Sequence, residues 1–402
     1  MPLNNAGSSP GPLDGLIVVD LTRVLSGPYC TMQLADMGAR VIKVEQPGRG
    51  DDTRAWGPPF IGAESAYFLS INRNKQSLTL DLKSGRAVLE RLLDRADVLV
   101  ENFRPGTMER LGLGYAAVSA RWPRLVYCSI SGFGQTGPRR DQPGYDAVVQ
   151  AEGGLMSITG EADGPAFRLG VAIADIVSGM FAAQGIALAL LARARTGRGQ
   201  HVDIGMLDST AALLTYQAAI YFATGQPPTR MGNRHPTIVP YETFEASDGE
   251  FVLAVGSEGL WRRFCELLDA PGVAEDPRFA TNRDRVSHYE ILRPLLAERI
   301  RQRSRADWIE RLMAAGVPCG SVRDVSEVLR DPQMTAREMI AAVEHAAIGR
   351  VQVLGVPIKL SETPGTVRTA PPTLGQHTDQ ILRTDLGFSD ADITRLRQNG
   401  TV

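Results

Sequence analysis

The chain has 402 residues, of which 43% are hydrophobic, and it carries a formal net charge of −2 at pH 7. This length predicts two or three domains with large apolar cores, and the slightly acidic balance gives no electrostatic support for nucleic-acid binding. The cysteines have neither a CxxC pair nor a metal-ligand spacing; they are Cys30, Cys128, Cys265 and Cys319. We therefore expect reduced thiols, no metal site and a cytoplasmic location.

The first residues, MPLNNAGSSPGPLDGL, are polar and contain no Arg or Lys. This composition is not typical of a signal peptide or an organellar presequence. The longest apolar run, within residues 180–192, is short and rich in alanine, whereas a helix that spans a bilayer needs about 20 apolar residues. We therefore expect a soluble protein without a membrane partner.

Predicted strands and helices alternate through the first part of the chain. Apolar, β-branched runs predict strands at residues 16–23, 40–47, 77–82, 97–102 and 124–130. A helix is predicted through GPYCTMQLADMG, and an amphipathic helix is predicted over residues 84–96. Strands of this kind separated by helices favour a parallel sheet that is covered by helices. The predicted fold class is therefore α/β.

The later part of the chain predicts a helix near Asp175, a strand at residues 201–207 and a helix through AALLTYQAAIYF. Beyond these elements, YETFEASDGEFVLAVGS predicts a hairpin that turns at Asp248–Gly249, GRVQVLGVPIKLSETPG predicts strands, and a last helix is expected near 388–398. The predicted organisation is a large domain at 10–223, a Pro-rich linker at 224–240, a smaller α+β domain at 241–335 and a C-terminal segment at 336–402.

Asp175 is an acid at the start of an otherwise apolar stretch, in the sequence RLGVAIADIVSGMFAAQGI. Ile176, Met180, Ala183 and Ala187 recur after it at helical spacing. Asp is among the preferred helix N-caps, because its side chain accepts hydrogen bonds from the N–H groups of the first turn. On this stretch alone, Asp175 is either a plain cap or a functional carboxylate.

The stretch GFGQTG at residues 132–137 matches a GxGxxG pattern after a predicted strand. A dinucleotide site needs a helix that starts at these glycines and points its N-terminus at the pyrophosphate. Pro138 follows the third glycine, and Pro143 and Gly144 come soon after it. These residues favour a loop, so we do not expect an NAD site.

Two kinds of loop adjoin the predicted strands. Residues 44–60, VEQPGRGDDTRAWGPPF, form either an ordinary surface loop or a binding loop in which Trp56 and Phe60 pack against something. Polar residues at the ends of two further strands could bind a phosphate-bearing ligand at the edge of a parallel sheet or could be solvated surface groups; they are Arg73, Lys75, Asn102, Arg104 and Arg110. The chain has no GxSxG, Walker or HExxH motif.

Several stretches, taken in order, resemble the class III (formyl-CoA transferase-like, CaiB/BaiF) CoA-transferases. They are LDGLIVVDLTRVLSGPYCTMQLADMGARVIKVEQPGRGDDTRAWGPPF, INRNK, VENFRPG, YCSISGFGQTGP, GYDAVVQAEGGLMSITG, GVAIADIVSGMFAAQGI, TGRGQHVDIGMLDS and PPTLGQHT. The resemblance extends from about residue 13 to about residue 380. It is nearest the branch that moves CoA between dicarboxylic acids, such as the succinyl-CoA:glutarate or hydroxymethylglutarate transferases.

The resemblance implies a large Rossmann-like domain completed by both chain ends, a smaller domain, and a homodimer of two interlocked, ring-like subunits. It implies a transfer of CoA from an acyl-CoA, which is the form in which coenzyme A enters, to a free carboxylic acid. The expected donor is succinyl-CoA, and the expected acceptor is a dicarboxylic acid. Family members use one Asp as a covalent nucleophile, and Asp175 corresponds to it. The positions that correspond to family contacts with coenzyme A are Leu25, Ser26, Asn72, Arg73, Asn74, Lys75, Asn102, Phe103, Arg104, Arg110 and Tyr145.

Two departures from related patterns bear on the reaction. Formyl-CoA transferases carry Gln where this chain has Leu25, and their Gly-rich stretch in the small domain has no counterpart here, so formyl or oxalyl transfer is not expected. α-Methylacyl-CoA racemases use the His of a GHD-like stretch, where this chain has Tyr145, and a phenol with a pKa near 10 is a poor base at neutral pH. A racemase and a catalytically idle CoA-binding protein remain the alternatives.

Transfer through an aspartyl intermediate sets requirements that name further residues. Developing oxyanions need N–H donors, for which Gly132, Gly134 and Gly137 are candidates. Water must be kept from the intermediate, and the second carboxylate of a dicarboxylic acid needs a cation. The candidate substrate contacts are Trp56, Arg54, Gly134, Arg234 and His235.

Overall fold

The computed structural model describes residues 10–402, so the interpretation of the first nine residues lies outside it. The chain divides into two compact units. The first unit contains the chain up to Leu155, Arg168–Ala223 and Pro332–Val402, and the second contains Met156–Phe167 and Thr224–Asp331. The second unit includes Met156–Phe167 because the Arg230 guanidinium donates to the carbonyls of Glu161 and Gly164 at 3.3 and 2.9 Å.

A six-stranded parallel sheet forms the centre of the first unit. The strands of this part of the chain are β1 Ile17–Asp20, β2 Arg40–Glu45, β3 Phe60–Ile61, β4 Glu64–Ser65, β5 Lys75–Thr79, β6 Val98–Glu101, β7 Val126–Ser131 and β8 His201–Gly205. The sheet order is β5-β2-β1-β6-β7-β8, and β3 pairs with β4 separately. This order proceeds outward from β1 in both directions, as in Rossmann-like folds. The predicted α/β class with a parallel sheet is confirmed.

Alternation along the strands gives the sheet two apolar faces. Val19, Ile42 and Leu99 belong to one core cluster, and their neighbours Val18 and Val41 belong to the other. Because successive strand residues point to opposite faces, a strand buried on both sides needs an unbroken apolar run. The β-branched runs in the sequence therefore specify a sheet with helices on each face.

Helices of the first unit cover this sheet. The helices up to residue 224 are α1 Ser26–Asp36, α2 Ala66–Ile71, α3 Arg86–Leu93, α4 Thr107–Arg110, α5 Tyr115–Arg121, α6 Asp146–Glu152, α7 Leu155–Ile158, α8 Ile173–Thr196, α9 Met206–Ala211 and α10 Thr215–Thr224. Of these, α7 lies mostly in the second unit. The face that α3 buries is apolar, with Val88, Leu89, Leu92 and Leu93. Short 3₁₀ turns lie at Asp52–Ala55 and Ala212–Leu214.

The longest helix, α8, corrects the expectation from the apolar run. It has 24 residues and a mean hydropathy of 1.7 over an 18-residue window, so it is long and apolar enough by composition to cross a membrane. The apolar run in the sequence covers only part of residues 180–192, whereas the helix extends from Ile173 to Thr196. In the first unit α8 packs against α1, α6, β7 and β8, as a crossover helix does.

The second unit has a small antiparallel sheet and its own core. Its elements are β9 Tyr241–Ala246, β10 Gly249–Ala254, α11 Glu258–Leu268, α12 Pro271–Ala274, α13 Asn282–Ser287, α14 Tyr289–Ile300, α15 Arg305–Ala314, β11 Cys319–Ser321 and α16 Val325–Leu329. The sheet order is β11-β10-β9. The predicted hairpin is present, with Ala246 paired to Gly249, so its turn lies at Ser247–Asp248, one residue earlier than predicted.

The C-terminal segment belongs to the first unit. It forms α17 Pro332–Ala336, β12 Ile340–His345, β13 Gly349–Leu354, α18 Thr378–Gln380 and α19 Asp390–Gln398. Of the predicted strands in residues 349–365 only Gly349–Leu354 is a strand, because Pro357 and Pro364 lack the N–H that a ladder needs. The segment is fixed to the edge of the sheet, since Gly375 N–H donates to the Ser77 hydroxyl at 2.8 Å.

A buried ion pair ties α1 to the loop before β5. The Arg73 guanidinium donates to the two oxygens of Asp36 at 3.0 and 2.6 Å, and the side chains of both residues are only 3% exposed. The Asn74 amide adds a bond to Asp36 at 2.8 Å. Burial, the largest effect, raises the pKa of Asp36, while the bonds from Arg73 and Asn74 oppose that rise. Loss of either Arg73 or Asp36 would therefore leave the other charge buried without compensation.

We expect Arg73→Ala to lower the free energy of unfolding by about 3–5 kcal/mol, because it leaves the Asp36 carboxylate buried without its cation. Denaturant unfolding measures this loss. Arg383→Ala, which removes an exposed pair with Asp390, is the control and should leave the midpoint unchanged. An Arg73→Ala protein as stable as its parent would contradict this account.

Candidate active site

The carboxyl edge of the sheet has a topological switch between β1 and β6. These neighbouring strands lead to loops on opposite sides, which opens a crevice where ligands bind in folds of this kind. The two loops are braced, because the Asn102 amide oxygen accepts from Arg23 N–H at 2.8 Å and its NH₂ donates to the Arg23 carbonyl at 2.7 Å. The crevice is therefore built on a fixed backbone.

Four fully buried charges lie beneath this edge. Lys75 Nζ approaches Asp20 Oδ2 at 3.2 Å, and Lys43 Nζ approaches Asp51 Oδ2 at 2.8 Å. Burial, the largest effect, raises the pKa of Asp20, but the charges of Lys75 and Lys43 outweigh it and the pKa is lowered below its usual value. Asp20 therefore stays ionised and anchors Thr22, whose N–H it accepts at 2.9 Å.

The turn from β1 into α1 is strained. Val24 has a φ of 70°, a conformation that β-branched residues rarely adopt. The turn is held by Asp51, whose Oδ1 accepts from Val24 N–H at 3.2 Å. Strain of this kind costs of order 1–3 kcal/mol and persists where the surroundings impose it. Its consequence here is that Ser26, the first residue of α1, presents its N–H and its hydroxyl to Asp175.

Asp175 lies in the first turn of α8 but does not cap it. The N-cap position is Ala172, and it makes no side-chain cap bond. The interpretation of Asp175 as a plain cap is therefore wrong, because the N-cap position lies three residues before Asp175. The Asp175 carboxylate instead accepts the Ser26 N–H and hydroxyl. Burial, followed by the nearby charge of Asp146, raises the pKa of Asp175 to about 7, and the two Ser26 bonds oppose this rise.

A small cleft of about 170 Å³ contains Asp175. It is lined by the β1–α1 turn, the loop after β6, the end of β7 and residues 142–145. Asn102, Phe103, Arg104, Ser26 and Tyr145 from the predicted set all lie on its wall, and Tyr145 is 68% exposed. Leu25 is buried beside it in a cluster with Met32 and Ile71. The structure thus brings these predicted residues together around one carboxylate.

A second cleft of about 720 Å³ lies over the carboxyl ends of β1, β2 and β5. Its lining cations are Arg23, Lys43, Lys83 and Arg110. Arg23 and Phe103 line both clefts, so the two adjoin. Arg110 is an expected residue here, whereas Lys83, Gln46 and Arg23 were missed. Their signal in the sequence was position alone, since Arg23 and Gln46 lie at the ends of predicted strands and Lys83 directly follows one.

The glycine loop after β7 is not a dinucleotide-binding turn. No helix begins within Gly132–Gly137; the next helix starts at Asp146. Gly134 has a φ of 81°, and the neighbouring Gln135 N–H donates to the Asp203 carboxylate at 3.1 and 3.2 Å. Of the candidate oxyanion donors, Gly132 lines the small cleft, where its Cα approaches Gly144 so closely that a side chain on either residue would clash.

The structure does not bring Asn72–Lys75 to either cleft among the residues it describes. Their side chains are buried and bonded internally, Arg73 to Asp36 and Lys75 to Asp20 and to the Asn72 amide oxygen at 2.9 Å. These partners leave little capacity for an incoming phosphate. We assign the four residues a structural role, and contact with coenzyme A remains a prediction for them.

The candidate substrate contacts differ in their surroundings. Arg54 donates to both oxygens of Glu45 at 2.7 and 2.8 Å and stacks over the Phe68 ring at 3.6 Å, so it is already paired. Trp56 is 41% exposed and meets Tyr67 edge-on at 5.2 Å. Phe60 is exposed, so the expectation that this loop packs its aromatic residues away is met only in part.

Arg234 and His235 lie in the second unit. The Arg234 guanidinium stacks over the Tyr289 ring at 3.4 Å, and the His235 ring stacks on Tyr241 at 5.2 Å. Both side chains are partly buried. Their role in substrate binding remains a prediction.

Within residues 10–402 no group of three or more His, Cys, Asp or Glu side chains is placed to hold a metal ion. The four cysteines are free, and only Cys319 is not fully buried. The carboxylates of the small cleft are held by hydrogen bonds and helix N-termini. This is the setting of a carboxylate that reacts covalently or moves a proton.

Known proteins resemble this chain along nearly its whole length. Acetyl-CoA:oxalate CoA-transferase of Acetobacter aceti is 45% identical over 87% of this chain and 90% of its own length. Human succinyl-CoA:glutarate CoA-transferase is 40% identical over 97% of this chain and 90% of its own length. The crystal structure of a CaiB/BaiF family protein from Brucella suis is 43% identical, has a TM-score of 0.82, and is matched over 94% of this chain and 100% of its own.

The family model of the CoA-transferases of family III matches residues 13–378. That range contains the switch-point crevice, both clefts and Asp175. The resemblance predicted from the sequence motifs is therefore confirmed, and with it the class of enzyme. The chain belongs to CoA-transferase family III and is a CoA-transferase.

Proposed function

We propose that this enzyme moves CoA from an acyl-CoA donor, succinyl-CoA in the first instance, to a free dicarboxylic acid through a covalent intermediate on Asp175. The observation that carries the proposal is the Asp175 carboxylate in the small cleft, with two Ser26 donors on it and a pKa raised to about 7. A carboxylate of raised basicity is a better nucleophile than an ordinary one.

Coenzyme A would occupy the larger cleft, with its thioester reaching into the smaller one. The larger volume, about 720 Å³, suits a nucleotide and the arm attached to it. Arg23, Lys83 and Arg110 supply cations for phosphate oxygens there. We assign phosphate binding to these three residues and not to Arg73 and Lys75, because Arg73 and Lys75 form buried ion pairs with Asp36 and Asp20.

The exchange proceeds in balanced covalent steps. The Asp175 carboxylate attacks the donor thioester carbon, so a mixed anhydride forms and CoA leaves as its thiolate. The thiolate attacks the Asp175 acyl carbon, which releases the donor acid and leaves an aspartyl-CoA thioester. The acceptor carboxylate attacks this carbon and expels the thiolate, and the thiolate then attacks the acceptor acyl carbon. The new acyl-CoA forms and Asp175 returns as a carboxylate.

The protein's own groups supply what these steps need. The Ser26 N–H and hydroxyl are hydrogen-bonded to the Asp175 carboxylate, so they would stabilise negative charge on its oxygen when the Asp175 acyl carbon is attacked. The N-termini of α1 and α8 meet at this carboxylate and add their positive ends.

The acid is assigned by class. One of the two relatives above is named for oxalate, and the other is named for succinyl-CoA and glutarate. Oxalate, succinate and glutarate are all dicarboxylic acids. The relative named for oxalate is 45% identical, which speaks against using Leu25 to exclude oxalate, and oxalate therefore stays among the candidate acceptors. Arg23 and Arg104 on the wall of the small cleft provide cations for a second carboxylate.

We also propose that the enzyme is a homodimer. Helix α10 buries none of its residues in the analysed chain, and Phe222 on it is 81% exposed. Leu188 and Leu191 on α8 are also exposed. Exposed large apolar side chains on two helices are the kind of surface that marks a protein contact, and a second copy of the chain is the occupant we assign to it. Interlocking of the two subunits stays a prediction.

We expect Asp175→Asn to lower transfer activity by roughly 10⁴-fold or more, because the amide cannot form the anhydride. Mass spectrometry of acyl-CoA products from succinyl-CoA with glutarate, hydroxymethylglutarate, malate, itaconate, mesaconate, oxalate or formate measures activity and identifies the acceptor. In the parent enzyme, borohydride should trap the aspartyl thioester on the peptide that carries Asp175. Asp141→Asn, an exposed acid, is the control. Full activity in Asp175→Asn would refute the proposal.

The pH dependence has a defined sign. Since the pKa of Asp175 is raised to about 7 and the ionised form is the nucleophile, kcat/KM should rise roughly tenfold per pH unit below pH 7 and level off above it. Initial rates from pH 5 to pH 9 measure this profile. A profile that is flat across this interval would contradict the assignment of Asp175.

Replacing either Lys83 or Arg110 by Ala should raise KM for the acyl-CoA roughly tenfold with little change in kcat, because each removes one charge-assisted bond to a phosphate. Steady-state kinetics with varied acyl-CoA measure the split. Arg121→Ala is the control, since Arg121 is exposed, pairs with Glu90 and is not in the cleft wall. An unchanged KM in both variants would place coenzyme A elsewhere.

Light scattering should give twice the chain mass of 43.5 kDa. We expect Phe222→Asp to shift the particle toward the single-chain mass, because it puts a charge into the apolar contact. Val325→Asp, at an exposed apolar residue of the second unit, should leave the mass unchanged. A parent protein of single-chain mass at micromolar concentration would refute the dimer.

A further inference from the structure

The nucleophile helix α8 has no cap of its own. Its N-cap, Ala172, has no side chain that accepts a hydrogen bond. The N–H of Ala174 in the first turn instead donates to Asp146 Oδ1 at 2.9 Å. Asp146 is the first residue of α6 and is buried, with 9% of its surface exposed. A carboxylate from another helix thus performs the capping that the sequence suggested for Asp175.

The other oxygen of Asp146 is also engaged. Gln150, one turn later on α6, donates from its amide to Asp146 Oδ2 at 2.7 Å. The amide oxygen of Gln150 accepts from Leu169 N–H at 2.9 Å, and Gln150 is fully buried. Leu169 lies in the segment that leads into α8. The Asp146–Gln150 pair therefore holds both the approach to the helix and its first turn, which fixes the backbone position of Asp175.

Asp146 acts on Asp175 through charge as well. With burial, its negative charge raises the pKa of Asp175, while Ser26 opposes the rise. On α2, Tyr67 also faces this pair, since burial and the charges of Asp175 and Asp146 raise the pKa of its phenol to about 12. The phenol thus stays protonated at neutral pH. It contributes no charge to Asp175.

Other elements packed against α8 carry titratable groups whose electrostatic partners lie elsewhere. On α1, burial raises the pKa of Tyr29, and the charges that act on it are those of Arg73 and Asp36. Burial also raises the pKa of Cys30, and the charges that act on it are those of Asp20 and Lys75. On β8, burial lowers the pKa of His201, and the charges of Asp203 and Glu109 oppose that change. The remaining acids and thiol on the elements packed against α8 are Asp36, Cys128, Glu152, Asp203 and Asp208. The charge that bears directly on Asp175 is that of Asp146.

We propose that Asp146 is the positioning residue of the transfer reaction, which places the Asp175 carboxylate by capping its helix and holds a like charge near it. This inference rests on the proposed role of Asp175 as nucleophile. The benefit is chemical. A carboxylate of ordinary basicity attacks a thioester slowly, whereas one destabilised by a neighbouring charge gains free energy when the attack neutralises it.

Asp146→Asn keeps the size and the oxygen that caps Ala174 while removing the charge. We expect the acidic limb of kcat/KM to move to lower pH, because removing a like charge lowers the pKa of Asp175. The plateau rate should fall roughly tenfold through the weaker nucleophile, with KM for acyl-CoA unchanged. Asp146→Ala, which also removes the cap, should lower kcat roughly 100-fold through misplacement.

A second variant guards against simple misfolding. In Asp146→Asn the new NH₂ faces the donor of Gln150, so one bond is lost. The double variant Asp146→Asn/Gln150→Glu restores a donor–acceptor pair and moves the charge from the group that caps Ala174 to the side chain that contacts Leu169 N–H, ahead of α8. The acidic limb of its kcat/KM profile should also lie at lower pH than that of the parent. Circular dichroism and the KM for acyl-CoA report whether each variant is folded.

The outcomes separate the two proposals. An acidic limb at the parent's pH in a folded Asp146→Asn or double variant, with the aspartyl thioester still trapped by borohydride, overturns the role of Asp146 alone. Failure to trap any adduct on the parent enzyme, together with activity in Asp175→Asn, overturns the proposed function. A limb shifted to lower pH with the adduct intact supports both.

Discussion

Four buried charges beneath the carboxyl edge of the sheet determine the geometry on which the site depends. Asp20, Lys43, Asp51 and Lys75 compensate one another away from solvent. Because an uncompensated buried charge costs several kcal/mol, these pairs fix β1, β2 and β5, which carry Asp20, Lys43 and Lys75, relative to one another and to the loop that carries Asp51. Asp51 uses its remaining capacity to hold Val24 at a positive φ. The energy of the ion network thus maintains a strained turn.

That turn brings two helix N-termini to one carboxylate. Ser26 begins α1 and Asp175 lies in the first turn of α8, and the bonds between them join the two helices. The positive ends of the helices and the Ser26 donors favour the ionised acid, while burial and Asp146 favour the protonated one. The balance leaves the pKa of Asp175 near neutrality, where the carboxylate is both available and basic.

The two clefts divide the proposed work between binding and chemistry. The larger one has cations at the strand ends and volume for a nucleotide, and the smaller one has the carboxylate. Arg23 and Phe103 stand where the clefts adjoin. Since the Arg23 backbone is clamped by Asn102, the distance over which a thioester must reach is set by the β1 and β6 loops.

The sequence by itself determined the α/β class and the parallel sheet and singled out Asp175 as the candidate nucleophile, because β-branched runs and family motifs are local patterns. It did not reveal which charges pair. Arg73 and Lys75 look like free cations along the chain, yet they are bonded to acids 37 and 55 residues away. Local propensity also named Asp175 as the cap, whereas the acceptor is Asp146, 28 residues from the N–H it receives. Only tertiary structure decided these partners, since burial and Coulomb attraction act through space and leave no periodic trace in the sequence.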